Sequence, residues 1–381
     1  MKYSPEQQTV RYLVGVMDGE HFSLSAEKTD VAKVKAWVLG VLRGFYWYRF
    51  CCKRLMKKAD KRTLAYIMHA MFRLDDDPKS HAVLTNTLVE EAKKLHLSGA
   101  MVNAVLRRYL QEREALSVKA RGIVSVQYNM REALLDRIKE SHDGWKDIVK
   151  LMQKKPAICL SVNTNKVTQE AFEKALDQRD ISYEKTKDAY LVNNTGRIQL
   201  LPGYDDGWFM VISASNQQTV DILPKEKPKR ILDACAAPGG KSFLLRQYYG
   251  PDVDIVATDI DDTRISRLKE NNGRLHLGLD IKQVDWSLEQ AMEGFDLIWA
   301  DVPCSATGVV AKHPEIAISE RDDLMSVPTQ KTLLNNLWKA LTPGGVLIYS
   351  TCSLLKEEND DIVQDFLSSA LDAEIIGGEA H

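Results

Sequence analysis

The sequence predicts a chain of three regions: an all-α region over 1–135, a small α+β region over 136–208, and an α/β region with a doubly wound parallel sheet over 209–381. Three observations carry that prediction. Apolar residues recur at helical spacing in the first third; strand-like alternation replaces it in the middle; continuous apolar runs alternate with helical stretches thereafter.

In the first region, "AMVNAVLRRYLQERE" places Met101, Val102, Val105, Leu106, Tyr109 and Leu110 on one stripe, with Arg107, Arg108 and Arg113 off it. Cys51 and Cys52 lie in a similar segment, where packing is their expected role. In the middle region "ICLSVNT" alternates as a strand, Thr168 opens the helix "TQEAFEKALDQR", and "AYLVNN" and "RIQLL" read as further strands. From 209 onward "RILDACAA", "DIVATDI", "DIKQVDW", "FDLIWADV" and "GGVLIYSTC" read as buried parallel strands, separated by helices such as "TRISRLKENNGRLH" and "TQKTLLNNLWKAL".

Composition bounds the function. With 381 residues, 44% hydrophobic and 27% charged, the chain has material for several packed domains. The apolar stretch "AWVLGVL" is too short to span a bilayer and "MKYSPEQQTV" is not built like a signal peptide, so a soluble cytoplasmic protein without membrane association is expected. Six cysteines with no CxxC and no Cys/His spacing suited to zinc argue for reduced thiols, and no metal is expected. The net charge is −2, yet residues 31–130 hold 19 Lys+Arg against 8 Asp+Glu, or +11, leaving −13 elsewhere. The peak is "RFCCKRLMKKADKR", with Lys53, Arg54, Lys57 and Lys58 at its centre. Such a run is either a solvated helix face or a phosphate-binding surface, and a cationic region joined to an acidic one favours phosphate.

In a doubly wound sheet ligands bind beyond the carboxyl ends of the strands, and the unusual residues of the last region fall there. "DACAAPGGKS" ends like a Walker A loop, but position 235 is Cys where that loop needs Gly, which excludes the ATPase reading. Gly239 and Gly240 still let backbone approach a ligand at a helix start. Asp259 ends the next strand, nineteen residues after Gly240, where an acid meets ribose hydroxyls; Asp285 ends the third strand and Asp301 the fourth. Carboxylates would repel a pyrophosphate, so the set describes a nucleoside site without phosphates, and S-adenosylmethionine fits it.

The fourth strand end also carries Pro303 and Cys304, and the fifth carries Cys352. Carbon 5 of a pyrimidine is a poor nucleophile until a thiolate adds at carbon 6 and creates an enamine. One cysteine then serves as nucleophile and the other helps to release the product; the residues alone do not say which does which.

The stretches "ILDACAAPGGKS", "VATDIDDTRISRLKENNGRL", "DVPCSATGVVAKHPEI" and "LTPGGVLIYSTCSLLKEEN" resemble, in order and spacing, the RNA 5-methylcytosine methyltransferases of the RsmB/Nol1/NSUN family. "SASNQQ", "LSVNTNK" and "VNAVLRRYL" extend the resemblance upstream. It implies a NusB-like helical RNA-binding domain, an RRM-like middle domain and a Rossmann-like methyltransferase domain. It further implies a monomer that methylates carbon 5 of a cytosine in RNA, with 16S rRNA or a small-subunit assembly intermediate as substrate. Under the resemblance Cys352 is the nucleophile, Cys304 assists release, and Asp301 hydrogen-bonds the cytosine. Cys235, Ala236, Ala237, Pro238, Gly239, Gly240 and Lys241, with Asp259, Asp285 and Asp301, hold S-adenosylmethionine; Lys241 also reaches the catalytic cleft, and His313 lies in a loop near the base or is structural.

The chain departs from the family pattern in three places. Ser213 stands where an acid is usual, Ala317, Ile318 and Ser319 replace a basic or bulky segment, and "IIGGEAH" ends the sequence where relatives continue to a last strand, so a truncated chain or a sheet one strand short is expected. Two other readings stand beside this one: a DNA cytosine-5 methyltransferase, with Cys304 of Pro-Cys as nucleophile, and a non-catalytic RNA-binding or assembly factor that keeps the fold.

Overall fold

Helices fill the first part of the chain because its apolar residues recur every three to four positions and its polar residues sit where helix starts need acceptors. The computed structural model describes residues 3–22, 30–187, 189–193, 197–320 and 326–377. The chain divides into two compact units: one of residues 1–155 and 307–323, the other of 156–306 and 324–381.

The first unit contains α1 (Pro5–Met17), α2 (Val31–Arg43), α3 (Phe45–Leu55), α4 (Lys61–Asp76), α5 (His81–Lys94), α6 (Gly99–Ala120), α7 (Val124–Tyr128), α8 (Glu132–Ser141) and α9 (Trp145–Met152). Ser4 caps α1 in a capping box with Gln7, and the Asp60 carboxylate accepts from the Thr63 N–H at 2.9 Å to start α4. Helix α4 supplies much of the core through Ala65, Tyr66, Ile67, Met68, Ala70, Met71 and Leu74. On α6, Val102, Val105, Leu106 and Tyr109 are buried and the arginines exposed, as the stripe predicts. Cys51 and Cys52 are buried in the same core.

Helical structure does not stop near residue 135: α8 and α9 continue it to Met152. Leu134, Leu135 and Ile138 keep helical spacing and are buried, a pattern too short to stand out from the neighbouring polar residues. The segment 307–323 folds with these helices. Ile318 joins their core, and the Ala317 carbonyl accepts from the Arg131 N–H at 3.0 Å.

The second unit opens with β1 (Ile158–Val162), α10 (Gln169–Asp177), β2 (Tyr183–Lys185), β3 (Tyr190–Val192) and β4 (Phe209–Val211). The four strands pair antiparallel in the order β2-β3-β1-β4, and Thr168 caps α10 as expected. "RIQLL" is not a strand: Ile198–Leu200 form a single 3-10 turn, whose Leu200 carbonyl accepts from Arg179 at 2.9 Å. Asn194 of "AYLVNN" lies outside the described residues.

After α11 (Ala214–Gln218) come β5 (Arg230–Ala234), α12 (Gly240–Tyr249), β6 (Asp254–Asp259), α13 (Asp262–Leu275), β7 (Asp280–Gln283), β8 (Phe295–Asp301), α14 (Val327–Ala340), β9 (Leu341–Ser350) and α15 (Asp360–Ser369). The five strands are parallel in the order β7-β6-β5-β8-β9, so the order reverses between β5 and β8 and opens the ligand crevice there. Leu232, Val256, Ile298 and Phe295 pack against Leu333 and Leu337 of α14 on one face of the sheet. Ile231, Ile255, Leu297 and Trp299 pack with Leu245 and Tyr249 of α12 on the other. Among the described residues no strand follows β9, and the last four residues of "IIGGEAH" lie outside them. No described helix is long and apolar enough to cross a membrane.

Candidate active site at the strand ends

The turn after β5 reverses sharply because two of its residues adopt left-handed backbone: Cys235 at φ 61° and Gly239 at φ 105°. Only glycine takes the second value without strain. Backbone bonds fix the turn, Ala236 N–H to the Thr258 carbonyl at 2.7 Å and Gly239 N–H to the Ala236 carbonyl at 2.7 Å, while Asn271 donates to the Pro238 carbonyl at 2.9 Å. Gly240 then begins α12 directly after the turn, with no side chain capping its first N–H groups. Burial pushes the Cys235 thiol up to about 12, so it stays protonated at neutral pH.

Asp259, at the end of β6, is buried and accepts from the Ala237 N–H at 3.2 Å and the Asp261 N–H at 3.2 Å. Half-exposed Arg264 pairs with it at 3.1 Å and donates to the Ala237 carbonyl at 3.0 Å. Asp285 lies two residues beyond β7 rather than on its last residue, and one of its oxygens accepts from the Ser287 N–H at 2.9 Å and hydroxyl at 2.6 Å. Asp301 ends β8 as expected.

Beneath the turn sits Asp233, fully buried on β5 and accepting from the Ser242 hydroxyl. Its other oxygen has no partner among the described residues. Burial pushes this carboxyl up to about 7, with the Asp301 charge adding to the rise. Although "DACAAPGGKS" contains Asp233, nothing in the sequence pattern distinguishes an acid aimed into the core from one at the surface.

On the β8 and β9 side, buried Lys241 donates to Asp301 at 2.9 Å and to the Asn216 side-chain carbonyl at 3.0 Å. The other Asp301 oxygen accepts from the Ser350 hydroxyl at 3.0 Å, and Ser350 accepts from the Trp299 indole at 3.0 Å. Ser213, in place of the usual acid, accepts from the Asn216 N–H at 3.3 Å and so caps α11. The stretches "SASNQQ" and "LIYSTC" marked the segments of Asn216 and Ser350 but not these side chains, since neither ionises and their roles arise only through Lys241 and Asp301.

Cys304 and Cys352 meet with their sulfurs 3.4 Å apart. A hydrogen bond from the Cys304 thiol stabilises the Cys352 thiolate and, with the nearby Lys241 ammonium, lowers the Cys352 pKa against burial and Asp301. The same bond, burial and the Glu358 charge raise that of Cys304. Fully buried Glu358 organises the loop from below. It accepts from the Ser305 N–H at 2.9 Å, the Ser305 and Ser326 hydroxyls and the Gln330 amide at 3.2 Å, while Gln330 also donates to the Pro303 carbonyl at 2.9 Å. The sequence hides this role, because "LLKEEN" reads as solvent-facing.

The remaining expected residues belong to the helical unit. Lys53 and Arg54 are exposed at the end of α3 and Lys57 and Lys58 just beyond it, and none of the four forms an ion pair among the described residues. Arg54 lies over the Phe50 ring at 5.2 Å. His313 Nδ1 is 3.3 Å from Glu315.

A parallel sheet with the order β7-β6-β5-β8-β9, a glycine turn into a helix and acids at adjoining strand ends define a nucleotide-type crevice. The donor set suits S-adenosylmethionine: carboxylates accept from ribose hydroxyls and favour a sulfonium cation, and an added Cβ at Gly240 would meet no atom within 4 Å, so the helix start is open to a ligand. These features define an S-adenosylmethionine-dependent methyltransferase. Residues 220–381 match the family model described as 16S rRNA methyltransferase RsmB/F. Along the whole chain, "Ribosomal RNA small subunit methyltransferase B" of Serratia proteamaculans is 35% identical over 364 residues, covering 91% of this chain and 84% of that protein. The protein of the same description from Pectobacterium carotovorum is 36% identical with the same coverage. The chain belongs to the RsmB/F methyltransferase family, and S-adenosylmethionine is its cofactor. Two solved structures share the fold: PH0851, with a TM-score of 0.75 at 19% identity over 97% of this chain and 90% of that one, and NSun6 from Pyrococcus horikoshii with SFG, with a TM-score of 0.55 at 20% identity over 62% and 87%.

Proposed function

We propose that this enzyme methylates carbon 5 of a cytosine in 16S rRNA, in free RNA or a small-subunit assembly intermediate, through a covalent cysteine–pyrimidine intermediate, as a cytoplasmic monomer. The observation that carries the reading is the Cys304–Cys352 contact of 3.4 Å beside the Lys241–Asp301 pair. The names of the small-subunit methyltransferase relatives support the substrate class. The helical region supports RNA binding as a NusB-like domain through Lys53, Arg54, Lys57 and Lys58, and the four-stranded sheet with α10 supports an RRM-like role.

S-adenosylmethionine, when bound, supplies an electrophilic methyl group; the turn 235–241 with Asp259, Asp285 and Asp301 would hold it. The protein's own residues then do the following. The Cys352 thiolate adds to carbon 6 of the flipped cytosine, and the ring electrons move to make carbon 5 nucleophilic. Asp301, oriented by Lys241 and Ser350, takes a hydrogen bond from the base edge. After carbon 5 has gained its methyl group, loss of the carbon 5 proton to a base expels the Cys352 sulfur, and Cys304 assists that elimination.

The test separates the thiols. Cys352→Ala should abolish both methylation and any covalent adduct, whereas Cys304→Ala should leave an RNA–protein complex that survives denaturing electrophoresis in the presence of S-adenosylmethionine. The reverse pattern would establish the DNA-type assignment of Cys304 as nucleophile and overturn this one.

A further inference from the structure

We propose that His21, His313 and Glu315 form a binding site for a divalent transition-metal ion of the zinc type within the helical unit. His21 lies just past α1, and the other two belong to the segment 307–323 that folds with the helices. Both imidazoles direct Nδ1 at one carboxylate oxygen: His21 at 3.4 Å and His313 at 3.3 Å from Glu315 Oε1. The three ligand atoms all lie within 4.8 Å of one another.

These separations are long for charge-assisted hydrogen bonds, which run about 2.7–2.9 Å. They match the edge of a tetrahedron around zinc, about 3.3–3.5 Å for bonds of about 2.0–2.2 Å. A second observation points the same way. The Glu315 side chain is only 4% exposed, and its Oε2 is buried without a hydrogen-bond partner among the described residues. A buried carboxylate with an unused oxygen is costly unless a cation offsets it. Arg43 lies within electrostatic reach, but its guanidinium donates to the Ala311 carbonyl at 3.3 Å. The histidine side chains are 56% and 46% exposed, so both rings have room to close onto an ion and a fourth position stays open to water.

Two imidazoles and one carboxylate select zinc or cobalt over magnesium or calcium, which take oxygen ligands. The ion would clamp the chain after α1 to the segment 307–323, giving His313 a partner in its own unit rather than a base to contact. Sequence spacing conceals the site because His21 is remote in the chain from His313.

The experiment uses the full-length chain, stripped with EDTA and titrated with Co²⁺ and then Zn²⁺. The expected result is one equivalent of Co²⁺ with the visible absorption of a tetrahedral site, displaced by Zn²⁺, with affinity at least tenfold weaker in each of His21→Ala, His313→Ala and Glu315→Gln. His21→Ala removes only an exposed ring, so its fold is preserved and circular dichroism checks this. Because thiolates also bind these metals, the Cys304→Ala/Cys352→Ala double variant is titrated in parallel and should keep the site. Absence of saturable binding, or binding unchanged in His21→Ala and lost in the double cysteine variant, would overturn the proposal.

Discussion

Cys352 differs from Cys304 through its neighbours rather than its chemistry. The Cys304 hydrogen bond and the Lys241 ammonium favour the thiolate at 352. Alkylation by iodoacetamide should therefore label Cys352 first, with a rate that rises through a pKa below the ordinary thiol value of about 8.5; peptide mapping across pH checks both order and midpoint. Asp259→Ala should weaken S-adenosylmethionine by about 1–3 kcal/mol, the usual worth of a charge-assisted hydrogen bond, as read by calorimetry. Asp233 gives a stability prediction. Its folded pKa, about 7, lies above the unfolded carboxyl value, so the stability it contributes is full at low pH and is lost as pH rises toward 7. Asp233→Asn should remove that loss, gaining on wild type by up to about 1.4 kcal/mol per pH unit across the window, as denaturant titrations at pH 5 and pH 8 would show. The sequence made the two cysteines, Asp259 and Asp301 legible because they follow or end apolar runs, whereas Asp285 lies past the short, polar β7. It could not separate the cysteines, because their difference lies in which of Lys241 and Glu358 faces each thiol: Lys241 is remote in the chain from both, and Glu358, close in sequence to Cys352, raises the pKa of Cys304 instead.

Elements position these groups through their ends. Both cysteines follow adjacent parallel strands, and Glu358, in the turn before α15, ties Ser305 to Ser326 and Gln330. Glu358→Ala leaves several buried donors without an acceptor, a cost of about 1–3 kcal/mol. For a unit of this size that lowers Tm by about 2–12 °C, measurable by calorimetry, and methylation should fall with it as Cys304 loses its support. On α3 and the residues after it, replacing Lys53, Arg54, Lys57 and Lys58 with Gln should flatten the slope of log RNA affinity against log salt by about 3, near 0.7 for each phosphate contact in single-stranded RNA, with cofactor affinity unchanged. Long periodic elements such as α6 were readable from one stripe, and Thr168 from its capping chemistry. "RIQLL" was not, since its apolar run is as short as one 3-10 turn, and α8 was masked by charged residues flanking its few apolar positions.

At the scale of the molecule, three compositional regions became two compact units, because the small antiparallel sheet and the large parallel one fall in the same unit. Calorimetry with S-adenosylmethionine at one hundred times its Kd should stabilise the unit of 156–306 and 324–381 by about 2.7 kcal/mol while leaving unfolding of the helical unit unmoved. The charge asymmetry was visible in the sequence, but the return of residues 307–323 to the helices was not: that segment is contiguous in sequence with the Pro-Cys strand end, and local patterns carry no mark of a distant partner.

That return orders the protein's birth. Ile318 joins a core whose other buried members all precede residue 121, and Ala317 accepts the Arg131 N–H. A nascent chain emits its first 155 residues and must then wait for roughly 150 more, about 8–30 s at ordinary elongation rates, before the missing piece appears. During that interval the helices stand on the ribosome with an apolar gap where Ile318 belongs, a state that a stalled or prematurely stopped message would make permanent and that chaperones have time to find.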